Sequence, residues 1–320
     1  METLALVVPV FAVMLTGFAM VRLGILPATI AGPLVQFVYR VSLPALMFRI
    51  VAEDSLSSIL DWKFWLAFGG GTLLLLILAR LVAGRWLGDN AGQRAILSLS
   101  AVQTNTGFVA LPILHSLFGA AGVPPAAVAN IIIAGVFFPI GVAMLVAARG
   151  STGTRPSWTR IGRDVLLSPL VWPTLLGLVF ASFAIPIPAI VDDYLAILAA
   201  ALTPGALFAI GASLDLKAIR YDIVRIAALS VVKLAVLPAL VFAVAMALDM
   251  APFTIIAVTI CAAVPTAKSV YFLAEEYDVA QRDAAAVISA TTLASVVTLS
   301  LWLVALAEVF PEAFHSRIAG

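Results

Sequence analysis

The chain has 320 residues, 63% of them apolar and 11% charged, with 18 Lys and Arg against 17 Asp and Glu. Soluble domains carry about 45–50% apolar and about 25% charged residues, so this composition excludes an ordinary soluble protein and points to an all-α integral membrane protein. The net charge of +1 carries no partner information by itself, and the single cysteine, Cys261, excludes an intrachain disulfide.

A bilayer core is crossed by about 20 apolar residues in a helix. Ten such segments can be drawn in chain order, at approximately 4–21, 31–50, 63–82, 94–115, 124–147, 165–184, 190–212, 224–247, 252–274 and 282–306. The first has Glu2 where a cleaved leader carries basic residues, and its apolar run continues to Val21, so it is read as a membrane helix. The breaks between segments are too short for a soluble domain. The longest, Arg149–Arg163, lies near the middle and contains Trp158, expected at the membrane interface. The expected organisation is a first unit at 1–149, a cytoplasmic linker at 150–163 and a second unit at 164–320.

Lys and Arg set the orientation. With the N-terminus outside, the cytoplasmic breaks hold Arg22, Arg80, Arg85, Arg94, Arg149, Arg155, Arg160, Arg163, Lys217, Arg220, Arg225 and Arg282, twelve in all. The outer breaks and tail hold three, Arg49, Lys63 and Arg317. A multi-pass protein of the inner (plasma) membrane is expected, with both termini on the non-cytoplasmic side. Three further cations fall inside segments: Arg40, Lys233 and Lys268.

The two halves echo each other at an offset of about 160 residues. Ser42-Leu43-Pro44-Ala45-Leu46-Met47-Phe48 matches Thr203-Pro204-Gly205-Ala206-Leu207-Phe208, with Phe four residues after Pro in both. Ala101-Val102-x-Thr104 matches Ala263-Val264-x-Thr266. Five helices per half is odd, so the second half enters from the opposite side. The expected fold is ten transmembrane helices in 5+5 inverted repeats, with helices 4 and 9 broken and crossing near the midplane. Paired, polar-interrupted helices in corresponding positions of two halves point to a transporter's substrate site.

The breaks are written in the residues. Pro265 removes a backbone donor from helix 9, and Gly107 permits non-helical backbone in helix 4. Gln103, Thr104, Asn105, Thr106, Thr266 and Ser269 supply uncharged polar groups for a ligand, or bonds between packed helices. Free N–H groups and positive dipole ends of half-helices at one place suit an anion. Lys268, just after the break, has four readings: a substrate ligand, a titrating group that couples transport to protons, a fixed charge in place of a coupling cation, or a cap on the carbonyls of the broken helix. Arg40 either faces the same cavity or extends to the cytoplasmic surface. Lys233 is expected to extend to that surface along its apolar stem. Pro44 and Pro204 are expected to kink helices 2 and 7. No metal-ligand cluster, no phosphate-binding Gly-rich loop and no mid-membrane carboxylate pair is present, so neither a cofactor nor an enzymatic activity is expected.

The motifs resemble those of the auxin efflux carrier family, bacterial members included. Thr104-Asn105-Thr106-Gly107-Phe108-Val109-Ala110-Leu111-Pro112-Ile113 is similar to the family's helix 4, Leu43-Pro44-Ala45-Leu46-Met47-Phe48 to its helix 2, and Val264-Pro265 with Phe272-Leu273-Ala274-Glu275-Glu276-Tyr277 to its helix 9. The resemblance implies a fold related to bile-acid/sodium symporters, with a scaffold of helices 1, 2, 6 and 7 and a mobile unit of helices 3–5 and 8–10. It also implies a carboxylate site at Asn105 beside Pro265, with Pro112 closing the helix 4 motif, and a homodimer. Thr104 stands where plant carriers have a proline, and Lys268 and Arg40 are added cations. The expected activity is secondary transport of small organic anions, such as malonate- or malate-like dicarboxylates or auxin-like carboxylates, by elevator-type alternating access. The partners are the anion and lipid, without nucleic acid. An anion channel, or a carrier of a neutral or amino-acid-like solute, is the alternative.

Overall fold

The computed structural model describes residues 2–53, 61–82, 90–149, 163, 167, 169, 171–214 and 222–315. The linker with Trp158, Arg155 and Arg160, and the cations Arg85, Lys217, Arg220 and Arg317, lie outside the described residues. Within them, every regular element is a helix: α1 (Glu2–Arg22), α2 (Ala31–Phe37), α3 (Leu43–Glu53), α4 (Gly71–Val82), α5 (Ala91–Val102), α6 (Leu111–Phe118), α7 (Val123–Ile132) and α8 (Phe138–Arg149). There follow α9 (Val171–Ser182), α10 (Ala189–Ala200), α11 (Leu202–Ala212), α12 (Ile223–Val231), α13 (Leu237–Ala247), α14 (Pro252–Ala263), α15 (Ser269–Glu276) and α16 (Gln281–Val309). Six helical runs among the described residues are long and apolar enough to cross a membrane: Ala31–Ala52, Trp62–Leu81, Thr106–Ala148, Ala189–Ala212, Ile223–Ala247 and Gln281–Val309. Phe11–Arg22, Trp172–Ser182 and Pro252–Ala263 are shorter apolar helices.

Several of these runs contain a widened, π-helical turn, and the sequence explains most of them. Val38–Ser42 precedes Pro44, Thr106–Ala110 precedes Pro112, Ile133–Phe137 precedes Pro139, and Val232–Val236 precedes Pro238, each ending two residues before the proline. Proline lacks an N–H, and its ring collides with the carbonyl four residues back. A wider turn relieves the collision without ending the helix. The freed carbonyl still needs a donor in an apolar surround. For Pro238 that carbonyl is Leu234, and it accepts a 3.0 Å hydrogen bond from the Trp302 indole. Trp65–Gly70 is a further π turn, without a following proline.

The helices form two compact units, each drawing on both halves of the chain. The first comprises Met1–Asp61, Gly107–Val128 and Gly162–Leu214. In it α1 packs on α11 through glycines: a Cβ at Gly17 would overlap the Phe208 carbonyl, and one at Gly211 the Met14 carbonyl. Small residues allow backbones to approach in membrane helix pairs, where dispersion replaces the hydrophobic effect. α3 packs on α9, with Phe48 and Phe180 edge to face at 5.0 Å between centroids. Arg49 of α3 holds Asp192 of α10 through two hydrogen bonds, one of them Nη2 to Oδ2 at 3.0 Å. Between α6 and α7 the chain turns at Gly119, whose φ of +58° suits glycine.

The second unit comprises Trp62–Thr106, Ala129–Ile161 and Asp215–Gly320. α5, α8, α15 and α16 meet around Ile96, Leu99, Leu145, Val270, Leu273 and Ala284. Asn90 caps α5 by accepting from the Gln93 N–H at 2.8 Å, and the Gln93 amide donates to Asp283 at the start of α16 at 3.0 Å.

Candidate functional site

Within the second unit, two helices stop and their chains meet. α5 ends at Val102, and helical structure resumes at Thr106; α14 ends at Ala263, and α15 starts at Ser269. The intervening stretches run antiparallel, with Thr104 opposite Thr266. The Asn105 N–H donates to the Pro265 carbonyl at 2.9 Å, and the Ala267 N–H donates to the Gln103 carbonyl at 3.0 Å. This two-bond ladder answers the cost of opening a helix in an apolar medium, where each free backbone group is expensive.

Several flanking groups find partners of their own. Pro265 has no N–H for the Cys261 carbonyl. The Thr266 N–H turns to Thr291 Oγ1 on α16, at 3.2 Å. Ser100, in the last turn of α5, has its carbonyl bonded by the Thr266 hydroxyl at 2.7 Å. The Gln103 carboxamide accepts from the Ser269 hydroxyl at 2.7 Å and donates to the Phe137 carbonyl at 3.3 Å. Thr106 Oγ1 donates to Asn130 Oδ1 at 2.7 Å.

Lys233 overturns its sequence expectation. It does not extend to a surface: it is fully buried, and its ammonium donates to the carbonyls of Ala262 at 2.8 Å and Val264 at 2.6 Å. Distance along a helix suggested a surface ending, but the helix face decides, and Lys233 faces the end of α14. The carbonyls it caps have lost their helical donors. Among the described residues, no carboxylate pairs with it; the negative end of the α14 dipole supplies the compensation.

Thr104 and Asn105 differ from their neighbours. The Thr104 hydroxyl is buried, at 1% exposure for the residue, and has no hydrogen-bond partner among the described residues. Asn105 is 7% exposed; its N–H is committed to Pro265, while its carboxamide enters none of the hydrogen bonds of the crossover. Lys268 occupies the cap position of α15 and is half-buried. Gln103, Thr104, Asn105, Thr106, Pro265, Thr266, Lys268 and Ser269 are thus held together by one crossover.

The other candidate residues belong to the first unit, each with its own placement. Gly107 is the second residue of the π turn Thr106–Ala110, so the interruption of helix 4 lies before it, at Gln103–Asn105. Pro112 and Pro44 follow π turns, and Pro204 sits in the first turn of α11, just after the helix is interrupted at Ala201. Arg40 lies in the π turn Val38–Ser42, and its side chain is exposed in the chain.

Sequence reading missed Asn130, Thr291 and Lys233 as parts of this site. Asn130 carried a signal, since an asparagine in the apolar run Pro124–Ile133 is costly in a membrane unless it is bonded. Thr291 carried none, because threonines are common in membrane helices.

The comparisons with known proteins agree with one another. A protein of Rhizobium meliloti named provisionally as a malonate transporter is 29% identical over 306 residues, covering 93% of this chain and 94% of its own. An uncharacterized transporter of Methanothermobacter thermautotrophicus is 24% identical over 308 residues, covering 94% of this chain and 97% of its own. The uncharacterized transporter YfdV of Escherichia coli K12 is 24% identical over 308 residues, at 92% and 95% coverage. Residues 3–303 match the family described as Membrane transport protein. The chain therefore belongs to that family of membrane transporters, which includes the auxin efflux carriers.

Proposed function

We propose that the protein is a secondary transporter of small organic anions, with malonate- or malate-sized dicarboxylates as its cargo, and that the crossover binds the anion. The observation that carries this reading is the charge balance of the break. The negative end of α14 is neutralised by Lys233. The helical segments that start at Thr106 and Ser269 contribute positive ends, Lys268 adds a cation, and the Thr104 hydroxyl lacks a partner. Asn105 supplies amide donors that hold a carboxylate without the tight ion pair that would oppose release. Lys268 meets the second carboxylate. The name of the Rhizobium meliloti relative supports a dicarboxylate.

Transport proceeds by elevator-type alternating access in a fold of ten helices arranged as 5+5 inverted repeats. Supporting the repeat, the helices that enter the crossover end at Val102 and Ala263, 161 residues apart. The π turns of Trp65–Gly70 and Val232–Val236 start 167 residues apart. Supporting the elevator, α1, α2, α3, α9, α10 and α11 fall in the first compact unit and the crossover in the second, although Gly107–Val128, from the expected mobile helices 4 and 5, also falls in the first.

The test is thermal stabilisation of the purified protein by mono- and dicarboxylates, aromatic acids and amino acids, since a ligand that binds the native state raises its apparent stability. Stabilisation by dicarboxylates, lost in Asn105→Ala, is expected. Stabilisation by aromatic monocarboxylates alone defeats the cargo assignment, and ohmic current without saturable exchange defeats the carrier. Single cysteines in the Arg149–Arg163 loop test the orientation: labelling from the outside reverses it.

A further inference from the structure

We propose that Lys233 is a tethered cation: its ammonium occupies a monovalent-cation site formed by the carbonyl oxygens of Ala262 and Val264, so the crossover is assembled without a dissolved ion. Three observations carry this. First, the Ala262 and Val264 carbonyls lie past the last complete turn of α14: the Thr266 N–H, four residues on from Ala262, is bonded to Thr291, and Lys268, four residues on from Val264, precedes the start of α15 at Ser269. Second, Lys233 is fully buried, and its Nζ lies 2.8 and 2.6 Å from these two oxygens, the range of charge-assisted bonds. Third, neutral carbonyls and a helix end equivalent to roughly half a negative charge match a single positive charge. A divalent ion would call for carboxylates, and none of the described residues pairs one with Lys233.

The position has a mechanical consequence. Lys233 lies in the π turn that precedes Pro238, and the Leu234 carbonyl beside it is bonded by Trp302 of α16. The ammonium therefore ties the end of α14 to a helix whose own irregular turn is held from α16. A soluble ion at the same carbonyls would come and go. A tethered one holds the non-helical stretch Val264–Ala267 in register with Gln103–Asn105 throughout transport. Removing the side chain from this buried position would leave space and two unpaired carbonyls, a site for a small monovalent cation such as sodium or ammonium.

The experiment uses the full chain in detergent, with N-methylglucamine, sodium, potassium, ammonium or methylammonium chloride at equal ionic strength. Wild type is expected to unfold at the same temperature in all five. Lys233→Ala is expected to unfold roughly 10 °C lower in N-methylglucamine and to recover saturably with one of the small cations. Uptake of labelled malonate into proteoliposomes should follow the same cation dependence. Recovery of folded Lys233→Ala only when a small cation is present during purification also supports the site. Aggregation of that variant in every salt, or a thermal midpoint indifferent to the cation, overturns it. So does a Lys233→Met protein with wild-type stability and uptake, because packing alone would then suffice. A wild type that needs sodium for stability or uptake overturns it as well. Only the uptake arm rests on the anion-transport reading. Failure of malonate uptake by wild type would sink that reading and leave the thermal test of Lys233 intact.

Discussion

Two buried threonines that look alike in the structure are expected to behave differently. Thr266 and Thr259 are both fully buried, and each hydroxyl donates to a backbone carbonyl at 2.7 Å, to Ser100 and Ile255 respectively. The acceptors differ. Ile255 lies within α14, where its carbonyl already accepts the N–H of residue 259. Ser100 is near the end of α5, and its helical donor would be Thr104, which has left the helix to pair with Thr266. Valine nearly matches threonine in shape, so each substitution removes chiefly a hydroxyl. At Thr259 the lost bond is a second one to a satisfied carbonyl, with an expected cost under about 0.5 kcal/mol. At Thr266 a buried carbonyl is left without a donor, which costs about 1–3 kcal/mol. With about 2–4 °C per kcal/mol for chains of about 150–250 residues, Thr266→Val should lower the unfolding midpoint by roughly 5 °C and Thr259→Val by roughly 1 °C. Thermal scans of both purified variants, followed by tryptophan fluorescence, decide the matter. Equal shifts would mean that the Ser100 carbonyl has another donor and that the crossover ladder is not the source of the difference.

Further outcomes follow from the packing and the site. Gly211→Ala should destabilise by about 1–3 kcal/mol or more, because its methyl would overlap the Met14 carbonyl of α1; Gly135→Ala, with open space around it, serves as the neutral control in the same scan. Trp302→Phe should cost about 1–3 kcal/mol by stranding the Leu234 carbonyl. In a Pro238→Ala background, where residue 238 regains an N–H for that carbonyl, the cost should shrink, and a double-mutant cycle measures the difference. On the proposed anion site, Lys268→Gln should weaken dicarboxylate binding by roughly tenfold or more while changing monocarboxylate binding much less. Equal losses for the two classes in a titration would remove Lys268 from the second-carboxylate role.

Much of this molecule is legible one residue at a time. Apolar runs of membrane-spanning length, the missing donor at Pro265 and the polar insert Gln103–Thr106 are local facts, and each has a local consequence. The family could be read from the same motifs because they concentrate where helices are interrupted. The position of the helix 4 interruption was not local. Gly107 permits a break but remains in a helical turn; the chain opens earlier, where Thr104 finds a partner 162 residues away at Thr266. Likewise, the depth of Lys233 in its segment was readable, but not the face of the helix it occupies. Composition and spacing thus determined a membrane transporter with two polar interruptions, because burial in lipid constrains every residue independently. Only the tertiary structure decided which carbonyls those interruptions left without helical donors and that Lys233 caps two of them, because hydrogen-bond partners far apart in sequence meet only when the helices pack.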